Sequence, residues 1–125
     1  MSLQGIVLVG IAALMTVAGN LMMREGVVRA GGLALALPTL LRDLTHLARQ
    51  PLFDIGVLLY GLASLVWFRI VSTENLNSSY PLLVSLTFIF VTLGATFLFK
   101  EPLPLQKIAG IGVILLGIVF VATAR

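Results

Sequence analysis

The chain has 125 residues, of which 59% are hydrophobic and only 10% are charged, whereas soluble domains carry about a quarter charged residues. This composition predicts an integral membrane protein with a single domain over residues 1–125, and it leaves no room for a separate soluble catalytic domain. The net charge of +3 does not indicate a nucleic-acid partner, because six of the eight basic residues lie in two loops that flank apolar segments.

The first transmembrane helix is predicted over residues 3–23, which contain no charged side chain. The basic residues Arg24 and Arg29 follow this segment, whereas a secretory signal has them before its apolar core. We therefore expect a retained helix whose amino end is translocated. Thr16 and Asn20 lie on one face of the helix. Because Asn20 is close to the helix end, its amide is either an interfacial group or a binding group.

A short amphipathic helix is predicted over residues 38–49, between the first and second spans. Leucines recur at helical spacing on one side, and charged residues take the opposite side. Pro38 can occupy the first helical position, and Pro51 ends the helix. A helix of this length with one apolar face is expected to lie in the membrane interface and not to cross the bilayer.

The second span is predicted over residues 52–71. It holds two charges, Asp54 and Arg69, which lie about 22 Å apart along a helix and are too distant to pair. Both side chains can extend to the membrane surface. The span also carries a stripe of small and aromatic residues at helical spacing, namely Gly56, Tyr60, Ser64 and Trp67. Trp67 also fits an interfacial anchor, whereas Tyr60 lies nearer the middle of the membrane.

The third span is predicted over residues 80–99, a run of 20 residues without charge that begins at Tyr80 and Pro81. At about 1.5 Å per residue it covers the roughly 30 Å hydrocarbon core. Its hydroxyl groups can bond to the backbone of the preceding turn, which makes them tolerable in lipid. The hydroxyl residues are Ser85, Thr87, Thr92 and Thr96.

The fourth span is predicted over residues 105–124. Gly110 and Gly117 are one heptad apart and expose backbone along one side, which indicates a packing or dimerisation surface. The sequence thus predicts an all-α membrane protein with four transmembrane helices and one interfacial helix. The basic residues of the first and third loops place these loops in the cytoplasm and both termini outside. They are Arg24, Arg29, Arg42, Arg49, Lys100 and Lys107.

Several classes of chemistry have no motif in this sequence. There is no glycine-rich phosphate loop, no HExxH and no cysteine, and the single histidine cannot anchor a metal site alone. We therefore expect no enzyme, no catalytic residues, no metal and no cofactor. No carboxylate lies near the centre of a span, where proton or cation carriers are usually found. Because four helices enclose little volume, a transport path is expected to need a second subunit.

The order of several short segments resembles the small four-span members of the drug/metabolite transporter superfamily. The segments are residues 19–24 (GNLMMR), 79–85 (SYPLLVS) and 99–103 (FKEPL), followed by Gln106, Gly110 and Gly117. The superfamily includes the small multidrug resistance family and the EamA-like subunits of the aminoarabinose-phosphoundecaprenol flippase. The similarity to the flippase subunits is the greater, and it covers nearly all of the chain except residues 30–50.

This resemblance carries expectations for function. Multidrug members have an essential glutamate at the position of Thr16, so its absence here argues against drug/proton antiport. The flippase-like subunits also lack this glutamate, and their inferred cargo is a polyprenyl phosphate that carries a sugar. The glycines Gly110 and Gly117 match the dimerisation helix of the family, which implies a homodimer or a heterodimer with a related four-span subunit. The resemblance also implies the inner membrane of a bacterium.

Three functions are compatible with the sequence. In the first, a lipid-linked sugar moves through a polar groove, with Arg69 on the outer side and Arg24 on the inner side holding the phosphate. The sugar-binding residues in this hypothesis stack on or bond to the sugar, and they are Thr16, Asn20, Tyr60, Ser64, Trp67, Tyr80 and Ser85. The second function is a small-molecule or cationic-drug exporter that couples through Asp54. The third is a non-transporting partner subunit.

Overall fold

The computed structural model describes residues 2–123, with the exception of the side chain of Ala122, and consists of five helices joined by short connections. The helices are α1 (Leu3–Arg29), α2 (Leu40–Ala48), α3 (Pro51–Thr73), α4 (Leu76–Leu98) and α5 (Leu105–Thr123). Over residues 2–123 the chain has no strand, which confirms the predicted all-α class. Ala124, the last residue of the predicted fourth span, lies outside the described residues.

Three of the helices, α1, α3 and α4, are long and apolar enough to cross a membrane. The apolar part of α5 is shorter, at Leu105–Val121. Large apolar side chains on all four helices are exposed, as expected of surfaces that face lipid, and examples are Leu14, Leu58, Phe97 and Phe120. The chain is therefore a multi-pass membrane protein.

Helix α1 is longer than the predicted span 3–23. The hydroxyl of Ser2 accepts a hydrogen bond from the N–H of Gly5 (3.0 Å) and caps the amino end. The helix continues through Arg24 to Arg29 because the first residues with positive φ are Gly31 (95°) and Gly32 (90°). These left-handed conformations end the helix. Hydropathy alone places the end at the first charge, although the helical backbone continues to Arg29.

Prolines mark two of the helix starts differently from the prediction. Pro38 lies in a turn, and α2 begins at Leu40, so Pro38 is not the first helical residue. Pro51 was expected to end the amphipathic helix, and it is in fact the first residue of α3. Both observations follow from the fixed φ and the missing N–H of proline, which suit a turn or the first helical turn.

Helix α4 begins before the predicted start at Tyr80. The side chain of Asn75 accepts a hydrogen bond from the N–H of Asn77 (3.2 Å) and caps the helix, which therefore includes the polar residues before the apolar run. Pro81 lies inside α4. Because proline has no N–H, the carbonyl of Asn77 lacks its usual helical donor.

Helices α1 and α3 pack antiparallel at backbone contact distance. A Cβ added at Gly19 would lie 2.8 Å from the carbonyl oxygen of Gly56, and one added at Gly26 would lie 2.6 Å from Cβ of Phe53. At the other end of the pair, Glu74 contacts Gly5. Small residues recur every seven positions on α1, a spacing that keeps them on one side of a supercoiled pair. The residues are Gly5, Ala12, Gly19 and Gly26.

The remaining helices pack around this pair. Helix α4 runs parallel to α1, since Leu21 reaches Gly94 and the core of Val9, Ala12 and Ile70 is covered by leucines of α4. Helix α5 packs mainly on α4, and α2 contacts α3. The amino end of α1, the carboxyl end of α3 and the start of α4 consequently lie at one end of the bundle, which we call the outer end because the sequence predicts that it faces outward. The opposite end, which holds the basic loops, is called the basic end.

Candidate functional site

Two of the predicted site residues form an aromatic pair near the outer end. The rings of Trp67 on α3 and Tyr80 on α4 are edge-to-face, with centroids 5.9 Å apart and planes inclined by 62°. Trp67 is half-buried against the core of Val9, Ala12 and Ile70, whereas Tyr80 is 55% exposed. Such a pair joins the two helices and keeps one aromatic edge accessible from the membrane.

A groove of about 390 Å³ lies between α1 and α4 and includes Tyr80 at one end. Thr16 of α1 and Tyr80 of α4, two of the predicted site residues, both line this groove. Most of its lining is apolar, and Thr87 is the remaining polar residue. The residues that line it are Thr16, Tyr80, Leu83, Val84, Thr87, Phe88 and Val91. An apolar groove of this kind suits the hydrocarbon part of a ligand, and its few hydroxyls suit the orientation of a polar head.

Most hydroxyls in the spans are engaged by their own helix. Ser64 donates to the carbonyl of Tyr60 (3.2 Å), and Ser85 donates to that of Leu82 (2.8 Å). Thr87 in the groove donates to the carbonyl of Leu83 (2.6 Å). Each of these hydroxyls retains lone pairs and can accept a hydrogen bond, but its proton is already used. The single chain therefore presents an apolar groove with a few acceptors, and not a continuous polar slot.

Several predicted site residues lie away from this groove. Tyr60 is 45% exposed on α3, and its backbone nitrogen is close to Gly19. Ser85 is buried, and Asn20 is half-buried one turn beyond Thr16. Arg69 is exposed in the last turns of α3, where its carbonyl accepts hydrogen bonds from the hydroxyls of Ser72 and Thr73.

Asp54, the group on which the exporter hypothesis depends, is exposed in the first turn of α3. It therefore lies at the basic end of the bundle and not at mid-membrane depth. Among the described residues, no group of three His, Asp or Glu side chains is arranged to hold a metal ion.

Arg24 lies at the basic end, far from the aromatic pair, and has partners that the sequence did not reveal. Its Nη1 is 2.7 Å from Oε1 of Glu101, and its Cζ is 4.3 Å from the centre of the Phe99 ring. Both partners belong to the FKEPL segment, which the sequence marked as a motif without assigning it a contact. The side chains of Arg24 and Glu101 are about half exposed (49% and 44%).

A second cleft, of about 360 Å³, separates α4 from α5 beside this ion pair. Glu101 and Lys107 supply its charges, Thr92 and Thr96 its hydroxyls, and apolar side chains most of the remainder. Gly110 also lines this cleft, and among the described residues nothing lies within 4 Å of a Cβ added at Gly110 or Gly117. The glycine surface of α5 is thus open, whereas the glycines of α1 and α3 are closed against each other.

The chain is similar to curated proteins named "Probable 4-amino-4-deoxy-L-arabinose-phosphoundecaprenol flippase subunit ArnE". It is 35% identical to one from Erwinia tasmaniensis over 118 residues, which are 92% of this chain and 94% of the relative. For one from Enterobacter sp. the identity is 37%, over 56% of this chain and 64% of the relative. For one from Serratia proteamaculans the identity is 40%, over 54% of this chain and 58% of the relative. No family model and no solved structure matches the chain.

Proposed function

The chain belongs to the family of ArnE flippase subunits, as the resemblance in its sequence predicted, and from this premise we propose that it moves a polyprenyl-phosphate-linked sugar across the membrane. The similarity over 94% of the Erwinia relative carries the proposal. The names of the relatives give 4-amino-4-deoxy-L-arabinose-phosphoundecaprenol as the lipid that is flipped, and we infer a cargo of the same chemical class. The proposed activity is transport and not catalysis.

The proposed arrangement has four spans in the inner membrane of a bacterium. Helix α5 has 19 residues, which at about 1.5 Å per residue approach the roughly 30 Å hydrocarbon core, so it serves as the fourth span. Helix α2 lies in the interface, because Leu41 and Leu44 are exposed on a helix that also carries Arg42 and Asp43. The basic end faces the cytoplasm, and both termini face outward.

The groove between α1 and α4 supports this cargo class. Its apolar lining is suited to the prenyl tail. At its outer end, the exposed ring of Tyr80, which packs edge-to-face on Trp67, is suited to a sugar ring. The phosphate is proposed to be held by Arg24 at the basic end and by Arg69 at the outer end, beyond the residues that line the groove. Thr16, Asn20, Tyr60, Ser64 and Ser85 remain proposed contacts of the head group.

The chain is proposed to act with a second four-span subunit, either another copy or a related chain. The relatives are named as subunits, and one chain leaves its groove open to the side. The exposed glycine surface of α5 supports this pairing, because no side chain in the described part of the chain covers Gly110 or Gly117. A partner on this surface would leave the groove between α1 and α4 accessible from lipid.

Reconstitution in liposomes tests the proposed function. The full chain, with and without the related subunit of its own genome, is incorporated into vesicles that contain a polyprenyl phosphate sugar, and the sugar reaching the opposite leaflet is measured. We expect movement at least about tenfold above protein-free vesicles. Arg69→Ala should abolish it, because a lost charged contact of about 1.5–3 kcal/mol slows transfer tenfold or more. Arg42→Ala on α2 is the matched control and should leave the rate unchanged.

Two results would contradict parts of the proposal. If neither the chain alone nor the paired chains move the lipid-linked sugar, the transport function is wrong. If movement occurs and Arg69→Ala leaves it unchanged, Arg69 is removed from the site, and its guanidinium only extends to the outer head groups.

A further inference from the structure

The guanidinium of Arg24 has spare hydrogen-bonding capacity. Oε1 of Glu101 lies 2.7 Å from Nη1 of Arg24, and Cζ of Arg24 lies 4.3 Å from the centre of the Phe99 ring. A guanidinium has five N–H donors, and the side chain of Arg24 is still 49% exposed. Arg24 is thus held in a fixed orientation while part of its donor set remains accessible from outside the bundle.

The carboxylate of Glu101 is shared between Arg24 and a cleft. Glu101 and Lys107 are the charged residues among those that line the α4–α5 cleft. Its volume of about 360 Å³ is within the range of about 300–1,000 Å³ typical of small-ligand sites. Glu101 therefore pairs with a cation on α1, Arg24, and lines the same cleft as a cation on α5, Lys107. These three side chains carry two positive charges and one negative charge.

A phosphate group fits this cluster better than a single carboxylate does. It has more acceptor oxygens than a carboxylate and can accept two parallel hydrogen bonds from a guanidinium while a lysine contacts a further oxygen. Glu101 precedes Pro102 in the loop after α4, at the basic end of the bundle. A phosphate at the mouth of the cleft would therefore compete with Glu101 for Arg24.

We propose that Arg24 and Lys107 form a phosphate-binding site at the mouth of the α4–α5 cleft, in which Glu101 holds Arg24 until a phosphate displaces it. The inference rests on the proposed function, because it assigns the basic end as the place where the phosphate of the lipid enters. Displacement of Glu101 also releases the link between α1 and the α4–α5 loop. Binding of the head group thus loosens the end of the bundle through which it has to pass.

The experiment measures binding of farnesyl phosphate to the full chain in phosphatidylcholine nanodiscs. Arg24→Gln and Lys107→Gln should each weaken binding about tenfold, the effect of one charged hydrogen bond. Glu101→Gln should strengthen binding about fivefold, because it removes the competing carboxylate. Lys100→Gln is the matched control, since it changes the net charge equally at a residue outside the cleft lining, and it should change binding less than about twofold.

Other ligands identify the source of the phosphate. Farnesol lacks the phosphate, so the substitutions at Arg24, Lys107 and Glu101 should not change its binding in this way. If inorganic phosphate binds as tightly as farnesyl phosphate, and the variants rank in the same order of affinity, the site is supported and is assigned to the free anion. Tighter binding of farnesyl phosphate supports the site and assigns it to a lipid head group.

The proposal is overturned if Lys100→Gln weakens binding as much as Lys107→Gln does, because non-specific attraction of the phosphate to the positive charge of this end then explains the result. It is also overturned if Glu101→Gln weakens binding. Arg24→Lys keeps the charge but loses the two-pronged geometry, and it replaces Arg24→Gln if that variant does not fold. Because the assay contains no sugar and measures no movement, a chain that binds as expected but does not transport refutes only the proposed function.

Discussion

Helices α1 and α3 form a closed pair, whereas α4 and α5 form an open one, although both pairs are rich in glycine and apolar residues. In the closed pair, the backbones at Gly19 and Gly56 are so close that a methyl group would lie 2.8 Å from a carbonyl oxygen. In the open pair, a Cβ added at Gly110 or Gly117 would meet no other described residue within 4 Å, and a cleft of about 360 Å³ separates the helices.

The difference teaches that small residues do not have the same role in every helix of this protein. In lipid there is little hydrophobic driving force between helices, so close backbone packing is the main source of their association. The closed pair already uses its small residues within the chain. The small residues of the open pair remain available to contact lipid, a ligand or a second subunit. Stability and function are therefore expected to depend on different helices, and substitutions can separate them.

The largest effect is expected from Gly19→Leu. The added side chain meets the backbone of α3 at Gly56 and Tyr60, which cannot move without separating the helices. We expect a loss of more than about 3 kcal/mol of unfolding free energy, at the upper end of overpacking costs. Unfolding in mixed micelles, followed by circular dichroism, measures it.

The matched control is Gly110→Leu in the open pair. Because none of the described residues lies within 4 Å of an added Cβ, the unfolding free energy should change by less than about 0.5 kcal/mol. Cross-linking between copies or with a related subunit should decrease if this surface is used for pairing. Equal destabilisation at both glycines would contradict the distinction between the closed and open pairs.

A smaller effect is expected from Trp67→Ala, which removes a contact between the closed pair and α4. The variant loses the edge-to-face contact with Tyr80 and packing against the core cluster. For this half-buried ring we expect a loss of about 2 kcal/mol, below the roughly 3–5 kcal/mol of a fully buried aromatic residue. Tyr80→Phe keeps the ring and should retain wild-type stability. If it is as harmful as Trp67→Ala, the tyrosine hydroxyl matters more than the ring pair.

The smallest effect, and one of opposite sign, is expected from Ser79→Ala. The Ser79 hydroxyl is fully buried and, among the described residues, has no hydrogen-bond partner. Its removal should stabilise the chain by about 1 kcal/mol, because burying an unpaired hydroxyl is unfavourable. Ser85→Ala, at a buried hydroxyl bonded to Leu82, should be neutral or slightly destabilising. A destabilised Ser79→Ala would mean that water or a partner subunit satisfies this hydroxyl.

Much of the fold was predictable from the sequence, because hydropathy reports which segments are apolar over a bilayer's length. The helical class and the three long apolar helices were predicted for that reason. Helix ends were less accurate, as α1 shows by continuing to Arg29 and α4 by starting at Leu76. Caps and left-handed residues decide such ends, and hydropathy does not report them.

The site was less predictable, because its contacts join distant parts of the chain. The sequence showed the stripe that contains Tyr60 and Trp67. It did not show that Gly56, on the same helix, packs against Gly19. The seven-residue spacing of small residues on α1 was the available signal. No local pattern shows that Arg24 pairs with Glu101, since the two meet only after α4 lies parallel to α1. The hydroxyls satisfied by their own helices were foreseen, and their effect on the polarity of the groove was not.

The heptad-spaced contact between α1 and α3 also determines the order in which the protein can assemble. Every residue of that contact has been synthesised once the ribosome has passed Glu74, whereas α4 and α5 come later. The first two long helices can therefore associate in the membrane as a finished hairpin, on which the second half docks as it emerges. The same half of the chain then serves as the template for the helices that carry the open surfaces.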